Sequence, residues 1–268
     1  MLMVFFFLIG AALGSFSLVL AWRSHSGKDW IRGRSECDHC HKTLEARDMI
    51  PVFSWLALGG RCRYCKKKLP LQLLLAELGL GLVAAGSYVY WPHTLNNTVS
   101  WVHFSLWLVI LALLSALFWF DLRWFQLPTS FMNWLIGLGA LEAVLELIVT
   151  DKLTFKGLVA SIFGALLCGS LFWILSKFKT KAGQPLVGDG DAILGVGLGL
   201  IAGSPAGAFI LIFSSSIIGT IISVPLLLSK TLKLKSLIPF GPLLITSAVI
   251  VQLFGERLSS WYLNFIGL

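Results

Sequence analysis

Long apolar runs broken by short polar ones set the pattern of this chain. About 20 mostly apolar residues are needed to cross a bilayer as a helix. By that measure the candidate spans are 2–22, 71–91, 101–120, 131–149, 157–176, 191–203, 205–229 and 240–256. The sixth is short. At 1.5 Å rise per residue it covers only about 20 Å, so it starts deep or stops short of the far face. Prolines 92, 128, 185, 205 and 239 punctuate the runs and mark helix ends. The first run has no basic residue before it and no small-residue cleavage site, so it reads as a span rather than a removed signal peptide. The pattern predicts an all-α, polytopic membrane protein of about eight transmembrane helices. One sizeable polar insertion interrupts the series. The chain thus divides into a first span (1–22), the insertion (23–70) and a multi-span membrane domain (71–268).

Composition agrees with that reading. Of 268 residues, 57% are hydrophobic and 13% charged, with mean hydropathy +0.84. Soluble domains are about a quarter charged, so a soluble enzyme is excluded. With the N-terminus outside, 18 of the 21 Lys/Arg fall in the cytoplasmic loops 23–70, 121–130, 177–190 and 230–239. Only Lys152, Lys156 and Arg257 fall outside. This asymmetry satisfies the positive-inside rule. The formal charge of +8 is then a cytoplasmic rim facing anionic lipid, and no nucleic acid partner is needed to explain it.

Four of the five cysteines lie in the insertion, as Cys37-x-x-Cys40 and Cys62-x-x-Cys65, with 21 residues between the pairs. Two such knuckles in one loop are the pattern of a tetrahedral zinc site. Disulfides rarely persist in the cytoplasm, which favours metal. The insertion is too polar to build a core alone, so Zn²⁺ would supply folding energy. Four thiolates complete the coordination, which makes the role structural. His39 and His41 flank the first knuckle as alternative ligands. Cys168, alone in a span, reads as a small buried apolar residue.

Acidic residues in apolar surroundings are the remaining chemistry. They are Glu77, Asp121, Glu142, Glu146, Asp189 and Asp191. Carboxylates are expensive in a membrane and are usually there for function. Asp121 ends the third run and Asp191 opens the sixth, so both fall at the cytoplasmic face. Two carboxyls that share one proton can hydrolyse a peptide with a water held between them. Asp191 alone could be an ordinary N-cap. Asp121 could not, since a helix C-terminus disfavours negative charge. The glycines at 188 and 190 suit a turn where backbone meets a substrate strand. Glu142 and Glu146, one turn apart, read as a satisfied structural pair or as a proton or ion site. Glu77 is expected to be buried against the insertion or the aspartates. The glycine pattern over 188–207 predicts close helix approach.

Taken together these pieces resemble the type IV prepilin peptidases, membrane aspartyl proteases of the Gly-x-Gly-Asp class. GAALGSF resembles that family's opening span, and RDMIPVFSWLALGGR between the knuckles resembles its cytoplasmic loop. FDLRWFQLP resembles the stretch that carries the family's first catalytic aspartate, here Asp121, and GDGDAILGVGLG resembles the stretch with the second, here Asp191. IPFGPLL resembles the segment at the last span, here Pro239, Phe240, Gly241 and Pro242. Two positions depart from the family pattern. Ile193 stands where Lys is usual, and Thr129 where Asp is frequent; the missing Lys would alter the electrostatics around the aspartates.

The resemblance implies cleavage of leader peptides from prepilins or pseudopilins at the cytoplasmic face of the bacterial inner membrane, in type IV pilus or type II secretion systems. Many members also methylate the new amino terminus with S-adenosylmethionine. The insertion is the one cytoplasmic segment large enough to hold that donor. Rival readings are a proton-coupled transporter using Glu77, Glu142 and Glu146, and a non-catalytic membrane scaffold organised by the zinc loop.

Overall fold

The computed structural model describes residues 1–29, 33–178, 187–229 and 239–265, with side chains described as far as residue 260. Its helices are α1 (Leu2–His25), α2 (Phe53–Ala57), α3 (Leu71–Tyr90), α4 (Thr98–Trp124), α5 (Thr129–Val149), α6 (Phe155–Lys177), α7 (Asp189–Ile201), α8 (Pro205–Leu228) and α9 (Gly241–Phe265). No extended strand occurs among the described residues. Seven of these helices are long and apolar enough to cross a membrane. The sixth candidate run forms α7, whose 13 residues are short, as the run length predicts. The prolines bound helices as expected. Pro128 caps α5, Pro205 opens α8, and Pro239 lies just before α9. Pro185, and most of the basic loops 177–190 and 230–239, lie outside the described residues.

The chain forms two compact units. One is Met1–Trp91 with Leu111–Trp119; the other is Pro92–Ile110 with Phe120–Leu268. In the first unit, α1 packs along α3 through a seam of small residues. A Cβ on Gly10 would fall 2.5 Å from the Leu80 carbonyl oxygen, and one on Gly14 would strike the Ala76 carbonyl. Backbones this close leave no room for a side chain, the usual device for joining helices in lipid. Ser17, fully buried, donates to the Gly14 carbonyl at 2.8 Å and lies 2.7 Å from the Ser115 hydroxyl.

In the second unit, α7 is held between α5 and α6. Its glycines make this possible. Gly195 and Gly199 face the α6 backbone at Cys168 and Ala165, and Gly197 faces Leu135 of α5. Cys168 is fully buried, consistent with a space-filling role. The short α7 stops at a corner where Gly203 takes φ +66°, a conformation glycine adopts without strain. Ser204 then caps α8 by accepting the Gly207 N–H at 3.1 Å. Large apolar side chains such as Phe209, Phe213, Ile217 and Ile221 remain exposed along α8, as a lipid-facing surface requires.

Candidate active site and metal centre

Asp121 and Asp191 each hang on a helix terminus. Asp121 lies one turn before the end of α4, because α4 runs on through Leu122–Trp124. Its side chain is buried, and its Oδ2 accepts the Gly241 N–H at 3.1 Å. Gly241 is the first residue of α9, so the positive end of one helix offsets the unfavourable C-terminus of another. A Cβ at Gly241 would sit 2.6 Å from that same Oδ2. Asp191 is the third residue of α7, also buried, and its Oδ2 accepts the Gly188 N–H at 3.2 Å. It is therefore not the N-cap itself but reaches back from the first turn to the cap residue, Gly188.

The surroundings bind these pieces together. Leu127, just after α4, packs on Gly190, whose Cβ would meet Leu127 Cβ at 3.2 Å. Phe240 packs against Phe172 of α6 with ring centroids 5.5 Å apart and the ring planes tilted by 54°. Beside Phe240, α8 and α9 enclose a groove of about 380 Å³ lined by Ser216, Gly219, Thr220, Ser223 and Leu243. Pro239 and Pro242 flank this turn; Pro242, in the first turn of α9, has no N–H to lose there. Gly188 has φ −68°, so neither strain nor a left-handed turn requires glycine at that cap. Asp189 points away, 82% exposed at its side chain, with Lys177 Nζ at 3.9 Å.

The insertion brings its four cysteines together. The ligand atoms of Cys37, Cys40, Cys62 and Cys65 all lie within 4.8 Å of one another. Cys37 Sγ and Cys65 Sγ are 3.9 Å apart, close to the roughly 3.8 Å edge of a tetrahedron with ~2.3 Å Zn–S bonds. All four are free thiols. Neither His39 nor His41 belongs to this group.

The two knuckles share one backbone design. Cys37 N–H donates to the Lys42 carbonyl and His41 N–H to that of Cys37; Cys62 N–H to Lys67 and Lys66 N–H to Cys62 repeat the pattern. His41 and Lys66 close the turns at φ 54° and 59°. Backbone N–H groups of Cys65 and Tyr64 aim at Cys62 and bring its thiol down to about 7, while burial pushes Cys37 up to about 11. A bound dication would deprotonate both outright. The donor set and its spacing fit Zn²⁺.

The segment between the knuckles is anchored at both ends. Asp48 takes hydrogen bonds from Arg63 Nε at 2.6 Å and from the Tyr64 hydroxyl at 3.1 Å. Burial works against its charge, yet Arg63, the Glu45 N–H and Tyr64 hold its carboxyl below the usual carboxylate range. Val52 packs with Ala11 and Leu74 in a left-handed conformation, φ 65°, which strains a β-branched residue. Its N–H donates to Glu77 Oε2 at 2.6 Å, and the Ser15 hydroxyl also bonds Glu77. Glu77 is thus buried against the insertion, the first of its two expected settings. Ser15 belongs to the GAALGSF run, which gives that run a polar duty its apolar pattern did not reveal.

Glu142 and Glu146 are each met by a histidine rather than by each other, through a single carboxylate oxygen. His103 Nε2 lies 2.9 Å from Glu142 Oε1, and His93 Nε2 lies 2.7 Å from Glu146 Oε2. Gln252 of α9 donates to Glu142 Oε1 at 3.1 Å. A histidine inside the third run and another just before it were the sequence signals for these contacts.

A many-spanning helical membrane protein with a four-cysteine insertion and two buried aspartates at helix termini is the class that fold and site define. Residues 8–91 match the Bacterial Peptidase A24 N-terminal domain. Proteins named "Prepilin leader peptidase/N-methyltransferase" match most of the chain. The one from Stutzerimonas stutzeri is 31% identical over 235 residues, covering 86% of this chain and 75% of the relative. That from Aeromonas salmonicida (strain A449) is 32% identical over 233 residues, covering 87% and 75%. That from Pseudomonas aeruginosa is 30% identical over 233 residues, covering 87% and 76%. No solved structure matches. The chain belongs to the prepilin leader peptidase/N-methyltransferase family.

Proposed function

We propose that this protein is a membrane-embedded aspartyl endopeptidase that removes the leader peptides of type IV prepilins or pseudopilins at the cytoplasmic face of the bacterial inner membrane. The observation that carries the mechanism is the pair Asp121 and Asp191. They are buried on separate helices, each fastened by one backbone N–H through Oδ2. Close carboxyls share one proton. The ionised member takes a proton from water as its oxygen attacks the scissile carbonyl carbon. The protonated member donates to the carbonyl oxygen. Collapse of the tetrahedral intermediate then breaks the C–N bond, with a proton passing to the leaving amine. The two carboxyls exchange roles over the cycle. The hydroxyl-dotted groove beside Phe240 suits the apolar helix that follows a leader, and Gly188, Gly190 and the Pro239–Pro242 turn would let backbone approach the scissile peptide. The distribution of Lys and Arg supports an orientation with the N-terminus outside and the insertion in the cytoplasm.

The relatives' shared name also supports a second activity, N-methylation of the newly exposed amine. The insertion 23–70 would bind S-adenosylmethionine and supply its methyl group to that amine. Cys37, Cys40, Cys62 and Cys65 would hold a structural Zn²⁺ that keeps the insertion in one shape. The catalytic reading is tested by cleavage of a prepilin in vesicles. Asp121→Asn and Asp191→Asn should each abolish leader removal in folded protein, and Asp189→Asn should retain it. Activity surviving at Asp191→Asn, with loss at Asp189→Asn, would refute the assignment.

A further inference from the structure

At the opposite end of α4 from Asp121 lies a second cluster of metal-type ligands. His93 in the segment before α4, His103 near the start of α4, and Glu146 of α5 place their ligand atoms within 4.8 Å of one another. Both imidazoles turn Nε2 toward the same atom, Glu146 Oε2, at 2.7 and 3.7 Å. Glu142, one turn earlier on α5, brings Oε1 to 2.9 Å from His103 Nε2. We propose that His93, His103 and Glu146, with Glu142 as a fourth donor, form a second zinc site, remote from the aspartates and distinct from the cysteine site.

Three observations carry this. The first is the donor set. Two histidines and a carboxylate are a recurrent zinc triad, and a further carboxylate oxygen completes a tetrahedron. Bonds of about 2.0–2.2 Å place neighbouring ligand atoms roughly 3.3–3.5 Å apart. The His93–Glu146 contact would open slightly and the other separations among the three, all within 4.8 Å, would close by up to about 1.4 Å, while Glu142, outside that group, would move further. The second is charge. The side chains of His103 and Glu142 are 0% and 1% exposed. Two carboxylates with neutral imidazoles leave one fully buried negative charge at Glu142 and a second, partly exposed, at Glu146, and protonating both imidazoles puts four charges in the cluster. One dication among neutral imidazoles cancels both carboxylates with a single ion. The third is an orphan atom. Glu142 Oε2 is buried and has no hydrogen-bond partner among the described residues, a costly state for a carboxylate oxygen. Gln252 meanwhile fixes the other oxygen at 3.1 Å, as outer hydrogen bonds orient ligating carboxylates.

His103 and Asp121 are 18 residues apart on one helix, roughly 27 Å along its axis. A metal here would touch no reacting atom. It would pin the segment before α4 to α5 at one point, with α9 held through Gln252.

The test uses untagged full-length protein in detergent, parent against His93→Ala and Glu146→Gln. Both changes fall on residues with partly exposed side chains, 12% and 30%, so folding should survive; helicity checks it. Zinc per chain after desalting should fall by one in each variant. Added Zn²⁺ should raise the melting temperature of the parent and not of the variants. X-ray absorption on the zinc-loaded parent should show nitrogen and oxygen neighbours besides sulfur, a readout that does not depend on the variants folding. Equal zinc content and equal zinc-induced shifts in all three proteins would overturn the proposal, as would sulfur-only scattering in the parent.

Discussion

Gly241→Ala isolates the geometry of the aspartate site. The new methyl would lie 2.6 Å from Asp121 Oδ2. Ordinary contact begins near 3.4 Å, so the carboxylate must retreat by about 0.8 Å, or α9 must shift by as much. Alanine keeps the N–H that now donates at 3.1 Å, so the hydrogen bond is chemically intact and only position changes. A misplacement of about 1 Å at a reacting group costs on the order of 10²-fold in rate. Prepilin cleavage in vesicles, followed by gel shift over a range of substrate, should show kcat lowered by about that factor with KM near the parent's. Helix propensity does not confound the result, since Ala is the better helix former. Gly137→Ala on α5 is the control, because a Cβ there meets nothing within 4 Å; it should cleave like the parent. If folded Gly241→Ala stays within ~3-fold of the parent, Asp121 is not held by this contact in the working enzyme, and the ~10²-fold positioning cost is refuted.

Gly188→Ala should act differently: its Cβ makes only an ordinary 3.4 Å contact with Asp191 Oδ2, so any loss should raise KM through substrate approach and leave kcat alone, and a kcat loss with unchanged KM would contradict that. Glu77→Ala strips the buried acceptor from the Val52 N–H and should destabilise the first unit by about 2–3 kcal/mol in thermal unfolding, whereas Glu77→Gln, which keeps an acceptor oxygen, should recover most of it. Chelating zinc, or Cys62→Ser, should abolish label transfer from S-adenosylmethionine to a cleaved pilin before it lowers leader cleavage. Equal loss of both activities would count against a transferase role for the insertion.

The helices were legible because a bilayer selects them by one crude property, length of apolar run. Some boundaries moved because local chemistry overrode that property, and several helices simply run past their apolar stretches, α4 to Thr98–Trp124 and α9 to Phe265. α1 continues past residue 22 to His25. α7 starts at Asp189 rather than 191, because Gly188 caps it and Asp191 reaches back to that cap. The cysteine cluster was legible because metal spacing is local, with two residues between each pair. The polar partners were not. Asp121 meets an amide 120 residues away, Glu77 one 25 residues back, and Glu142 a histidine 39 residues back. No periodicity encodes such pairings. The odd residue types were visible, while their partners depend on which helix faces pack.

The pairing of each aspartate with a helix start explains how two carboxylates persist in an apolar protein. Asp191 occupies the first turn of α7, and Asp121 borrows the first turn of α9. Each N-terminus carries about half a positive charge, enough to help hold a carboxylate and too little to neutralise it as a lysine would. In each case the backbone bond engages Oδ2. A carboxylate fully paired with a cation would be poor at taking a proton, and one with no partner would be costly to bury. Holding each by a single amide lies between those limits. It also accounts for glycine at 241, where any larger residue would press on the carboxylate it is meant to hold.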